Sequence, residues 1–207
     1  MKPMRFTKAE ILSAFEREDR SYRLGMMCTH WIRDVERYTP TAAKLANEVQ
    51  MSANNSWISN GDLAVALVDP AQRETLSSNF LLTYLHTLIR APFELLSDYC
   101  EDFDKVHPDE RLHKRFTESA WYGVAYIVRN AVSHSFHIQF GKLRHTLPIT
   151  WRTVTITEAM DGRPMTDDIF WHKPGYELFM EMRAFAENMP ETLTHQESAR
   201  NGNSPSV

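Results

Sequence analysis

Three side chains able to act on a phosphodiester stand within six residues of one another: Arg129, Asn130 and His134, in the stretch "VRNAVSH". An imidazole takes or gives a proton near neutral pH, and a guanidinium offers a planar fork of donors to charge gathering on a phosphate. Those two groups are what attack by a ribose 2′-hydroxyl needs, and its products are a 2′,3′-cyclic phosphate and a 5′-hydroxyl. Only Ala131, Val132 and Ser133 lie between the amide and the imidazole. Polar groups on an otherwise apolar segment are costly unless they are satisfied or used. On an ideal helix Asn130 and His134 share a face, as do Arg129 and Ser133, whereas Arg129 and His134 diverge by roughly 140°. One chain presents that pair poorly, and two copies packed about a twofold axis would bring Arg and His from both chains to one cleft. The structural alternative is that Arg129 and His134 are satisfied helix-end residues favoured by the C-terminal dipole.

No metal or cofactor is expected beside them. The chain has no H-E-x-x-H, no pair of close acids with a histidine and no cysteine cluster. Cys28 and Cys100 are far apart and form no C-x-x-C pair, which reads as two buried, inert thiols in a reducing compartment. The apolar stretches are interrupted by His86, Arg90 and Pro92, so neither a signal peptide nor a membrane span is expected, and the cytoplasm is the default location.

The net charge of -4 argues against a nucleic-acid partner until its distribution is read. From Arg111 to Arg152 seven basic residues, Lys142 and Arg144 among them, face one acid, Glu118, so this segment carries +6 and the rest of the chain -10. A local basic field draws a phosphate backbone even on an acidic protein; a solvated face balancing acidic neighbours is the plainer reading.

Helices must position these residues. "TKAE" at 7 to 10 is a capping box that opens a helix running toward Val35 and stopping near Thr39 and Pro40. Residues 41 to 52 read as weakly helical, "SANNSWISNG" (52 to 61) as a loop, and "DLAVALV" as a helical fragment. A second long helix is expected from about Thr75 to Phe103, with Pro92 inside. Asn79, Thr83, His86, Arg90, Glu94, Ser97 and Glu101 form one polar stripe on it. That stripe is either the wet face or, through His86, Arg90 and Glu94, the lining of a site. A third helix is expected from about Glu110 to Val132, with Leu112, Phe116, Ala120, Val124, Ile127 and Ala131 in its buried row. "HIQF" (137 to 140) and "ITWRTVTIT" (149 to 157) alternate and are rich in β-branched and aromatic residues, and "MDGRP" is a turn, so residues 137 to 165 read as a small antiparallel β excursion. Helix returns over 174 to 189, started by Pro174. The composition, 43% hydrophobic and 24% charged, suits one globular domain over 1–189, with a polar, disordered tail over 190–207.

The spacing R-N-x3-H at the end of a long helix, in a mainly α chain, resembles the HEPN superfamily of nucleases. That resemblance covers residues 75 to 135 and the last helix. It implies an up-and-down helical bundle that dimerises through its motif helices and cleaves RNA without a metal ion. It assigns Arg129 to the phosphate, Asn130 to holding the geometry and His134 to catalysis. HEPN nucleases often carry a further polar residue on an earlier helix, for which His86, Arg90 and Glu94 are the candidates. Ser133, Lys142 and Arg144 are the remaining candidates for substrate contact. The family includes toxins of toxin–antitoxin pairs and phage-defence effectors, which implies a regulator, whether a protein or a nucleotidyl-modifying enzyme. The rival is a non-catalytic module of the same kind that binds a nucleotide, RNA or a protein partner. His137 and His145 could touch RNA, and Trp151 and Trp171 could stack bases, although burial is the more economical role for the tryptophans. Trp121 and Tyr122 read as core or dimer interface.

Overall fold

The computed structural model describes residues 4–34, 51–53, 56–58, 66–133, 136–165 and 169–191. The fold is mainly helical, with a small antiparallel sheet before the last helix. Its elements are α1 (Lys8–Arg33), the paired strands β1 (Met51–Ala53) and β2 (Ser56–Ile58), α2 (Pro70–Val106), α3 (Leu112–Thr117), α4 (Tyr122–Ser133), β3 (Ile149–Trp151), β4 (Val154–Ile156) and α5 (His172–Glu187). A 3-10 segment, Gly141–Thr146, links α4 to β3. The chain divides into two compact units, one of residues 18–87 and one of residues 1–17 with 88–207.

α1 begins as its capping box requires. Thr7 Oγ1 accepts from the Glu10 N–H at 3.2 Å and Glu10 Oε2 accepts from the Thr7 N–H at 2.8 Å, which satisfies two donors at the helix start. α2 is longer than its periodicity suggests, because Asp69 caps it by accepting from the N–H groups of Ala71 and Gln72 at 2.8 and 3.2 Å. Pro92 lies buried within it, so the Leu88 carbonyl lacks the N–H that a regular helix would offer.

The unit of residues 18–87 joins the later part of α1 to the first half of α2. Gly25 is required there, since a Cβ would stand 2.8 Å from the ring of Tyr84. Arg33 pairs with Glu74 at 2.6 Å, and Arg73 donates to the Leu67 carbonyl. The stretch expected to be a loop contains the β1–β2 pair, in which Ser52 lies opposite Trp57. Backbone pairing over three residues overrides the turn-forming composition read there.

The other unit has an aromatic core. Phe15 of α1 meets Phe179 of α5 at 5.3 Å, and Phe116 is surrounded by Phe93, Trp121, Tyr122 and Phe185. Trp121 and Tyr122 are buried here, as their core reading requires, and Trp151 is buried as well. Cys100 is fully buried and its thiol is pushed far up in pKa by desolvation, so it is inert; Cys28 is half-buried rather than buried.

One expected helix is two. The single helix from Glu110 to Val132 breaks at Glu118–Trp121. Thr117 and Ser119 turn their hydroxyls back to the carbonyls of Lys114 and Arg115, and the N–H groups of Ser119 and Tyr122 bond to Phe116 and Ser119 carbonyls in tight turns. The break leaves Ala120 exposed, although the apolar row included it, and buries Trp121 and Tyr122 instead. The β excursion is smaller than expected. Only β3 and β4 pair as strands, Trp151 opposite Val154, while "HIQF" contributes a single bridge from His137 to Pro164. The Met160–Gly162 turn forms, with Gly162 at φ +70°. Among the described residues no helix is long and apolar enough to cross a membrane.

Candidate functional site

α4 is buried on nearly every side. Gly123, Tyr126, Arg129 and Ser133, at steps of three, three and four, are its half-exposed positions and form one narrow strip. Arg129 stands near the C-terminal end of that strip, and Asn130, 8% exposed, turns inward beside it. Arg129 Nη1 donates to Asn130 Oδ1 at 3.1 Å. Ser133 Oγ donates to the Arg129 carbonyl at 2.9 Å, which satisfies one of the last carbonyls of the helix.

α2 supplies the counter-charge. Arg129 Nε donates to Glu94 Oε1 at 3.2 Å, and Nη2 lies 2.9 Å from the same oxygen. Arg90, one turn before Glu94, donates to that oxygen at 3.1 Å. Two guanidinium groups therefore share one carboxylate, leaving the cluster with a formal charge of +1. Arg129 and Glu94 are 34% and 38% exposed, so the pair is open to solvent on one side. Of the three α2 candidates, Arg90 and Glu94 are brought to the motif arginine; His86 is half-buried and belongs to the other unit.

The 3-10 segment closes the other flank. Gly141, at φ +54°, lies so close to α4 that a Cβ would stand 3.0 Å from Tyr126 Oη and 3.3 Å from Asn130 Nδ2. Lys142 follows, its ammonium over the Tyr126 ring at 5.2 Å and the Tyr122 ring at 6.0 Å. Arg144 turns toward Phe140, 5.9 Å from its ring centre, and forms an ion pair with Asp161. His137 and His145 are exposed. His134 lies outside the described residues.

The basic segment is less bare than its sequence suggests, because the fold brings acids to it. Arg129 pairs with Glu94, Arg144 with Asp161, and Arg152 with Glu177 and Glu181. Tyr126 and Gly141 are site residues that sequence reading missed. Tyr126 precedes Arg129 by three positions, a helical spacing that places both on one strip; nothing local marks Gly141, which meets α4 only through the fold. Among the described residues no group of His, Cys, Asp and Glu side chains is placed to hold a metal ion.

Chemically, the arrangement offers a partly exposed guanidinium oriented by a buried amide, with a second arginine on the same carboxylate. This suits an anion with planar oxygens, provided that it displaces the Glu94 carboxylate or shares Arg129 with it. Comparison of the chain with protein-family models, with curated proteins and with solved structures finds no match in any of the three.

Proposed function

We propose that the chain is a HEPN-type endoribonuclease that cleaves RNA without a metal ion, through attack of the 2′-hydroxyl, at a site that two copies build from Arg129 and His134. The observation that carries this reading is the Arg129–Asn130 pair. A buried amide fixes the guanidinium at the solvent-reachable end of an otherwise buried helix, which is how a phosphate ligand is held ready at low entropic cost. In this reading Arg129 takes the non-bridging phosphate oxygens, Asn130 fixes its orientation, and His134 moves the proton. The partner copy supplies the second Arg and His. Toxin or phage-defence roles are where such an activity would serve, under the control of a protein or a modifying enzyme.

A second reading has its own observation. Arg129 already has a carboxylate and an amide as partners, which is what a structural arginine would show, and a non-catalytic binding module would keep it so. The two are separated by incubating an end-labelled RNA of mixed sequence with wild type and His134→Ala in EDTA and identifying the product ends. Cyclic-phosphate ends from the wild type alone support the nuclease. Loss of wild-type cleavage on chelation would sink the metal-free mechanism, and no cleavage by folded, dimeric protein would favour the binding module.

A further inference from the structure

At Gly141 lies a shallow, open depression of about 480 Å³ lined by Gln139, Phe140, Gly141, Arg144, Asp161 and Gly162. Gly141 lines the depression, and a Cβ on it would stand 3.0 Å from Tyr126 Oη and 3.3 Å from Asn130 Nδ2, so this glycine borders both the depression and the residue that orients Arg129.

Arg144 and Asp161 form an ion pair within it, 58% and 37% exposed. An exposed ion pair gives up little when it opens, because water and salt already screen it. Opened, it presents two acceptor oxygens from the carboxylate and a fork of donors from the guanidinium. Guanine is the base whose Watson–Crick edge answers that set. Its N1–H and N2–H groups are adjacent donors, and O6 beside them is an acceptor suited to arginine. Adenine and cytosine offer a single amino group on that edge and uracil a single N–H, so each gives the carboxylate one hydrogen bond where guanine gives two.

We propose that this depression is a guanine subsite, in which Asp161 accepts from N1–H and N2–H and Arg144 donates to O6. The proposal rests on the endoribonuclease reading in one respect: the guanine belongs to the nucleotide next to the phosphate held at Arg129. Asp161 and Arg144 are then specificity residues.

The test has a readout that does not need cleavage. Binding of GMP, AMP, CMP and UMP to the full chain is measured by calorimetry for wild type and Asp161→Asn, alongside mapping of the bonds cut in a mixed-sequence RNA. GMP is expected to bind at least tenfold more tightly than the other three, and Asp161→Asn to remove that preference while its melting temperature stays at the wild-type value. Should Asp161→Asn not fold, Arg144→Ala serves for the same comparison. Equal affinities for the four nucleotides, or a preference that survives in the variant, overturn the subsite. GMP preference without RNA cleavage would keep the subsite and fail the nuclease; cleavage with no guanine beside the cut bond would do the reverse.

Discussion

Of the five N–H groups on a guanidinium, Arg129 turns Nε toward Glu94 and one on Nη1 toward Asn130, while Nη2 stands against the same Glu94 oxygen. A phosphate arriving at Arg129 therefore meets a competitor. Removing the charge of Glu94 should relieve it: Glu94→Gln is expected to tighten RNA binding by roughly five- to tenfold, the equivalent of about 1 kcal/mol for a partly exposed pair. Fluorescence anisotropy with a short RNA at low salt reads this, and an unchanged affinity would mean that RNA does not reach Arg129. Arg129→Lys is expected to lower cleavage on the order of 100-fold with little change in melting temperature, because a single ammonium cannot face the amide and the phosphate oxygens as a planar fork does. The pairing of Arg129 with Glu94 was not legible in the sequence. The two residues are 35 positions apart, and the polar stripe on α2 gave no reason to choose Glu94 over His86 or Arg90.

α3 owes its start to a residue of α2. Asp104 accepts from the N–H of Leu112 at 2.6 Å and of His113 at 3.0 Å, while Arg111, which precedes the helix, sits at φ 49° and offers no side-chain cap. Asp104→Ala should thus cost about 1–2 kcal/mol in urea unfolding, as losing a helix cap does, and a cost near zero would show that water replaces the carboxylate. The contrast with Thr7 and Glu10 explains which elements could be read in advance. A capping box is complete within four residues, so the start of α1 was visible in "TKAE". A cap that reaches across from another helix has no local signature. Nor did the break between α3 and α4, because its apolar row ran on at steps of four through Ala120. The break lies in Thr117 and Ser119, whose hydroxyls suit an exposed helix face equally well. "HIQF" is not a strand although residues 162 to 165 bond to Phe136 and Ile138: Pro164, opposite His137, has no N–H to extend a ladder, and a single bridge forms.

The unit that holds the motif is tied at its beginning and its end. Arg5 pairs with Asp98 at 2.9 Å and Asp102 at 2.7 Å, Lys8 donates to the Met189 carbonyl, and Tyr99 Oη donates to the Pro190 carbonyl. The hydrogen bonds from Arg5 and then Lys105 hold the Asp102 carboxyl well below its ordinary value. A carboxylate whose pKa is depressed on folding contributes stability that is present above the unfolded value, near about 4, and is lost as pH falls through the folded one. The wild type is expected to lose stability on acidification below about pH 4, and Arg5→Ala to lose less over the same interval because it begins without the pair. Urea midpoints at pH 6, 4 and 3 check this, and parallel curves for the two proteins would remove Asp102 from the account. Composition and periodicity revealed the mainly helical class and the small sheet. These ties join residues more than ninety positions apart, and no local pattern announces them.

In carrying Glu94, Arg129 brings its own counterion. A polyanion that binds there sheds condensed cations of its own, yet it meets two guanidinium groups of which Glu94, still held by Arg90, has already neutralised one, so the net release is smaller than the count of new phosphate contacts. The slope of log Kobs against log salt should accordingly be shallower in the wild type than in Glu94→Gln, by up to about 0.7 for a single-stranded partner. Affinity for RNA in this protein would depend less on ionic strength than its basic segment suggests, a property of one shared oxygen rather than of net charge.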